Sequence, residues 1–242
     1  FDSFRKGQRK FMNSVYKVIM EDEKLFARAP TGIGKTMGTL YPAIKSMEKK
    51  NSKIFYLTAK TIGRDVAEKA IKLLEGNGLK LKRVLITAKD KICLNEEKKC
   101  DSKYCKYAKG HYDRINGAIG ELLTATENYS RETILEYAKK YQVCPYELTL
   151  DLALFSDCII CDYNYAFDPS AVLKRFFVEG NGSYLFLIDE AHNLVDRARE
   201  MYSATMYKKP ILKLRRIVKD IDKTLYRYLG KLNSFMIEKR RE

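Results

Sequence analysis

The chain has 242 residues, 45% of them hydrophobic, enough to bury the core of one large domain or of one domain with insertions. Its 46 Lys and Arg outnumber 31 Asp and Glu, and the formal net charge of +15 favours a polyanionic partner, above all a nucleic acid. No apolar run is long enough to span a membrane as a helix.

Taken in order, Phe4-Arg5-Lys6-Gly7-Gln8-Arg9 leads into a helical pattern to about Met20, with Phe11, Val15, Val18 and Ile19 on one face. A glutamine amide both donates and accepts, so Gln8, shortly before a phosphate loop, suits the edge of an adenine. The run Lys24-Leu25-Phe26-Ala27-Arg28 reads as a buried strand. It is followed by Ala29-Pro30-Thr31-Gly32-Ile33-Gly34-Lys35-Thr36, which opens a helix. Glycines at 32 and 34 allow a turn tight enough to aim backbone N–H groups at a phosphate chain, and the helix adds its positive end. Lys35 then reaches the outer phosphates and the Thr36 hydroxyl sits on Mg²⁺. Gln8 and residues Thr31, Gly32, Ile33, Gly34, Lys35 and Thr36 are therefore the expected nucleotide contacts. Ala29 stands where the usual phosphate-loop pattern begins with glycine.

A helix to about Lys49 precedes the strand Ile54–Thr58. Ala59-Lys60-Thr61-Ile62-Gly63-Arg64 leaves that strand for another helix. Amides, a hydroxyl and cations at a strand's carboxyl end suit a nucleic-acid phosphate, or simply a solvated helix start. Arg83–Thr87 is the next strand.

From Ala88 to Pro145 the regular alternation of strand and helix stops. The segment carries Cys93, Cys100, Cys105 and Cys144 amid lysines, Lys91 among them, and tyrosines. With a nucleotide site in the chain, these thiols read as metal ligands or buried groups rather than as a disulfide framework. Little apolar content precedes Ile115, so a metal staple is the natural way to order the piece. Four thiolates can hold a tetrahedral Zn²⁺ or a [4Fe–4S] cluster. Ile115–Thr126 and Arg131–Tyr141 read as helices that return Cys144 to the other three. Tyr146–Phe155 is a further helix and Asp157–Cys161 a buried strand. The C-x-x-C of Cys158 and Cys161 is not a metal pair, because residues three apart on a strand face opposite ways. Asp162-Tyr163-Asn164-Tyr165 follows at the strand end, where α/β sheets present ligand loops; two tyrosines and an amide there suit bases or sugars. Finally, the apolar run Tyr184–Ile188 ends in Asp189-Glu190-Ala191-His192. Adjacent carboxylates at a strand end suit Mg²⁺ on Asp189 and water activation by Glu190. Alternating strand and helix patterns argue an α/β fold with a parallel sheet.

The ordered set Ala-Pro-Thr-Gly-Ile-Gly-Lys-Thr and Asp-Glu-Ala-His resembles a superfamily-two helicase of the DEAH type. The four-cysteine insertion and Asp162–Tyr165 narrow the resemblance to iron–sulfur helicases similar to XPD and the bacterial DinG proteins. Arg5–Gln8 is similar to that family's adenine-side motif, and Cys144-Pro145-Tyr146-Glu147 to the segment closing its cluster. The resemblance implies a RecA-like parallel sheet with helices on both faces, interrupted by a four-cysteine iron–sulfur insertion. It implies residues 1–88 and 146–200 as two parts of one helicase domain, 89–145 as a cluster domain and 201–242 as the start of a helical arch. It implies ATP, Mg²⁺ and a [4Fe–4S] cluster on Cys93, Cys100, Cys105 and Cys144, with 5′–3′ translocation on single-stranded and forked DNA. Lys35, Asp189 and Glu190 would catalyse hydrolysis, with Thr36 and Asp189 on Mg²⁺ and His192 coupling it to the nucleic acid. Lys60, Thr61, Arg64, Lys91, Tyr163, Asn164 and Tyr165 would lie along the strand. Ala59 stands where such proteins usually carry arginine.

After Asn193 a polar helix is expected to about Glu200. Beyond Pro210, apolar Leu214, Val218, Ile221, Leu225, Tyr228, Leu232 and Phe235 predict one long helix with a heptad-like stripe. The family reading also expects a second RecA-like domain beyond residue 242 and a protein working in the cytoplasm, on the nucleoid or in the nucleus. The competing readings are a non-hydrolysing nucleic-acid-binding module and a redox-responsive switch built on the same scaffold.

Overall fold

The computed structural model describes residues 4–30, 32–59 and 61–239, and divides into two compact units, Phe1–Met201 and Tyr202–Glu242. In the first unit, five parallel strands form one sheet in the order β3-β2-β4-β1-β5. They are β1 (Ser52–Leu57), β2 (Arg83–Leu85), β3 (Asn128–Tyr129), β4 (Cys158–Cys161) and β5 (Ser183–Ile188). Parallel neighbours cannot be joined by hairpins, and the connections are helical. These are α1 (Gln8–Met20) and α2 (Lys35–Lys50) before β1, α3 (Thr61–Glu75) after it, then α4 (Lys89–Ile92), α5 (His111–Ala125), α6 (Arg131–Tyr141) and α7 (Pro145–Phe155). Short helices α8 (Asn164–Phe167) and α9 (Lys174–Phe177) lead to β5, and α10 (Leu194–Met201) closes the unit.

The period-two alternation of the strands sorts side chains onto two faces. Phe55, Leu57, Val84, Ile159 and Cys161 pack with residues of α5, α6 and α7, such as Ile115, Leu122, Ile134 and Leu152. Ile54, Tyr56, Cys158 and Ile160 pack instead with Leu40 of α2 and Ala67 and Ile71 of α3. Cys158 and Cys161 thus belong to opposite cores, both fully buried, and burial pushes the Cys158 thiol up to about 12 and the Cys161 thiol upward as well. They are core thiols.

Two expectations are corrected. The segment 24–28 forms no strand among the described residues and is exposed throughout, Phe26 at 90%. It leaves α1 through a tight turn, with Asp22 at φ 57, and finds no ladder partner; an apolar run without one stays irregular. The cysteine-bearing segment contributes to the main core, because α5 and α6 lay their apolar faces on it and Asn128–Tyr129 adds an edge strand. The second correction is that the predicted single helix beyond Pro210 is two, α11 (Lys208–Val218) and α12 (Lys223–Lys239). Asp222 breaks it: its carboxylate accepts from the N–H groups of Thr224 and Leu225, both at 2.9 Å, as an N-cap does. Within this second unit Arg215 stacks on the Tyr226 ring, 4.4 Å from its centroid.

Candidate functional site: a phosphate loop facing paired carboxylates

The register of the sheet sets the site. Leu57 pairs with Cys161 on one side and Ile188 on the other. Thr58, Asp162 and Asp189, one residue beyond each, therefore emerge together at the carboxyl edge, the ligand-binding edge of such sheets. Above it, Gly32 (φ 87) and Gly34 (φ 82) adopt left-handed backbone that glycine allows without strain. Gly34 is also the N-cap of α2, and a Cβ there would come within 2.5 Å of the Gln8 amide. Arg5 donates through its backbone N–H to Gln8 Oε1 at 3.1 Å, and its guanidinium holds the Gly32 carbonyl. Arg5, Gln8, Gly32, Gly34, Lys35 and Thr36 are thus brought together, with Ile33 half-buried among them; Thr31 lies outside the described residues.

Lys35 Nζ reaches across the loop to the Ala29 carbonyl at 3.4 Å and to Glu190 Oε1 at 3.9 Å. Glu190 in turn lies 3.4 Å from His192 Nδ1, on an otherwise exposed imidazole. Asp189 sits deeper. Burial and then the Glu190 charge raise its carboxyl above the ordinary range, against the opposing pull of Lys35 and a hydrogen bond with Thr58. Tyr56 is hydrogen-bonded to Thr36 and feels the Asp189 charge, so the Mg²⁺ candidates Thr36 and Asp189 share one neighbour. Gly63 approaches closely as well: a Cβ there would stand 2.3 Å from Thr58 Oγ1 and 3.0 Å from Asp189 Oδ2.

Of the nucleic-acid candidates, Thr61 begins α3 and is exposed, and Lys91 is exposed on α4. Arg64 turns inward to Asp162 at 3.7 Å. Tyr163 and Tyr165 are 0% and 8% exposed, and Tyr163 directs its hydroxyl at the Asp189 and Glu190 carbonyls. Neither ring offers a face to a base in this structure. Asn164 Oδ1 accepts from Arg197 at 2.9 Å. Lys60 lies outside the described residues.

Cys93, Cys100, Cys105 and Cys144 line one cavity of about 310 Å³. No group of three or more His, Cys, Asp or Glu among the described residues is close enough to hold a single metal ion. Thiolates on one zinc, at about 2.3 Å each, stand roughly 3.8 Å apart; a four-iron cluster spreads its ligands around a larger body. Cys93 and Cys100 turn their Sγ atoms to the Asn95 and Lys98 carbonyls, at 3.5 and 3.9 Å. Burial raises the Cys144 thiol. Lys89 lies 5.7 Å from the centroid of the Tyr146 ring, and a hydrogen bond with Cys100 raises its ammonium above the ordinary lysine range.

Family comparisons agree with this geometry. Residues 5–133 match the DEAD/DEAH box helicase family and residues 78–211 match DEAD_2, each more than half of the chain. The chain belongs to the DEAD/DEAH box helicases. It is 26% identical over 200 residues to the ATP-dependent DNA helicase XPD of Sulfolobus acidocaldarius, covering 81% of this chain and 34% of that protein. It is 23% identical over 232 residues to the regulator of telomere elongation helicase 1 homolog of Caenorhabditis elegans, covering 77% and 23%. A solved XPD helicase superposes with a TM-score of 0.65 at 21% identity over 98% of this chain and 41% of that one; at that identity the likeness shows the RecA-like fold. The chain thus spans about a third or less of these curated relatives.

His111 and Arg197 escaped the sequence reading, and Asp162 was read only as part of its motif. Asp162 pairs with Arg64 at 3.7 Å and accepts from Arg197 at 3.1 Å. His111 is 4% exposed and accepts the Cys144 N–H on Nδ1 at 3.2 Å, which places its proton on Nε2, while burial lowers its basicity. Arg197, from α10, was not singled out because only the fold brings it to the strand edge.

Proposed function

We propose that this chain carries the nucleotide-hydrolysing part of an ATP-dependent DNA helicase that moves 5′ to 3′ on single strands and opens forked duplexes. The observation that carries the reading is the meeting of Lys35 and Glu190 at 3.9 Å, with Asp189 beside them at the sheet's carboxyl edge. Backbone amides of the Gly32–Gly34 turn and the Lys35 ammonium would hold the phosphates, with Arg5 and Gln8 on the adenine side. Thr36 and Asp189 would hold Mg²⁺, which neutralises phosphate charge when bound. Glu190 would orient the attacking water, and His192, in contact with it, would connect that step to the nucleic acid. A second RecA-like domain would supply the charge-stabilising arginine.

The same proposal gives the nucleic-acid strand to the N-terminal turn of α3, with Lys60, Thr61 and Arg64, and to Lys91. Cys93, Cys100, Cys105 and Cys144 would hold a [4Fe–4S] cluster that staples the basic segment between α4 and α5. The test is ATP hydrolysis and forked-duplex unwinding by the full-length protein and its Lys35→Ala variant. The variant should lose turnover by about 10²–10³-fold, the cost of removing one preorganised charge donor, while single-stranded DNA binding persists. Equal activities would overturn the reading in favour of a scaffold that only binds.

A further inference from the structure

Glu190 is held at φ 51, a left-handed backbone that a non-glycine residue adopts only when its surroundings enforce it. The enforcing group comes from another strand end. Tyr163, at the first turn beyond β4, is fully buried, and its hydroxyl donates to the Asp189 carbonyl and lies 3.2 Å from the Glu190 carbonyl. We propose that Tyr163 is a positioning residue that clamps the Asp189–Glu190 peptide, fixing both carboxylates for hydrolysis. This rests on the hydrolytic reading above and adds to it a residue that touches neither nucleotide nor metal.

One observation besides the contact supports the clamp, and it concerns the loop that holds Tyr163. That loop is tied down from both flanks. Asp162 forms an ion pair with Arg64 of α3 at 3.7 Å and accepts from Arg197 of α10 at 3.1 Å, and Asn164 accepts from Arg197 at 2.9 Å. Arg64 belongs to the turn proposed to meet the nucleic acid. A shift of that turn therefore reaches the carboxylates through Asp162 and Tyr163, a path of direct contacts rather than mere proximity.

Tyr163→Phe removes the hydroxyl and keeps the buried ring. In the full-length protein with single-stranded DNA, kcat for ATP should fall about tenfold, because misplacing a reacting group by a fraction of an ångström costs rate rather than affinity. KM for ATP should stay within about twofold, since the phosphate loop is untouched, and the Mg²⁺ concentration for half-maximal rate should rise. A merely structural role would lower the melting temperature and leave these kinetic values alone. Asp162→Asn, which leaves the core intact, serves as the second variant. It should reduce the stimulation of hydrolysis by DNA by about threefold. Wild-type kinetics in both variants would overturn the clamp while Lys35-dependent turnover upholds the hydrolytic reading. Absence of Lys35-dependent turnover in the wild type would overturn both.

Discussion

The two ends of the first unit order their functional groups by different means. At the carboxyl edge of the sheet, three paired strands deliver Thr58, Asp162 and Asp189 in register, and α2 delivers Lys35 to them. Around the cysteines, backbone without long helices runs from Cys93 to Gly110, and the four thiols share a cavity without reaching the spacing of one ion. Main-chain ladders fix the first arrangement before any ligand arrives. The second has four thiols and a cavity of about 310 Å³ between them, with no ladder to fix their spacing. Sites of the first kind should tolerate loss of the second.

The largest expected effect breaks only the cysteine end. Cys144→Ser should abolish incorporation of iron and sulfide and the absorption near 400 nm. Amide exchange between residues 93 and 110 should then accelerate by orders of magnitude, as for a segment that opens locally, while β1, β4 and β5 stay protected. Acceleration throughout the sheet would erase the distinction between the two ends.

A smaller effect lies outside both ends. Asp222→Ala should cost the second unit about 1 kcal/mol by loss of the α12 cap, measured by denaturant unfolding followed on that unit. An unchanged midpoint there would make the capping account wrong.

The smallest effect probes the nucleotide end through pH. The Asp189 carboxyl is raised above 3.8 by burial and the Glu190 charge, so between these two values the native state binds more protons than the unfolded one. Stability accordingly falls as pH rises through that window. Asp189→Asn escapes this loss: without nucleotide it should melt higher than wild type at pH 7, and the advantage should vanish near pH 3.5. A variant melting lower at neutral pH would show that the charged carboxylate is already compensated.

Much of this was legible in the chain because local chemistry and fold agreed. Gly32, Gly34, Lys35 and Thr36 announce a phosphate loop by their spacing, and the apolar run ending in Asp189-Glu190 announces a strand end. Period-two logic placed Cys158 and Cys161 in separate cores. The failures have a common physical cause, namely dependence on distant partners. Leu25 and Phe26 look like a strand, yet a strand needs a ladder and they find none. Asn128 and Tyr129 look like a linker, yet β2 offers them an edge. The helix break at Asp222 carried a local signal, an aspartate suited to an N-cap, which the continuous apolar stripe outweighed.

The claim that the nucleotide end stands on the sheet alone is tested most directly by calorimetric titration of Mg-ADP into cluster-loaded protein and the cluster-free Cys144→Ser variant. The account predicts dissociation constants within about twofold of each other. Loss of nucleotide binding along with the cluster would contradict it, and would make the cysteine segment part of the nucleotide site.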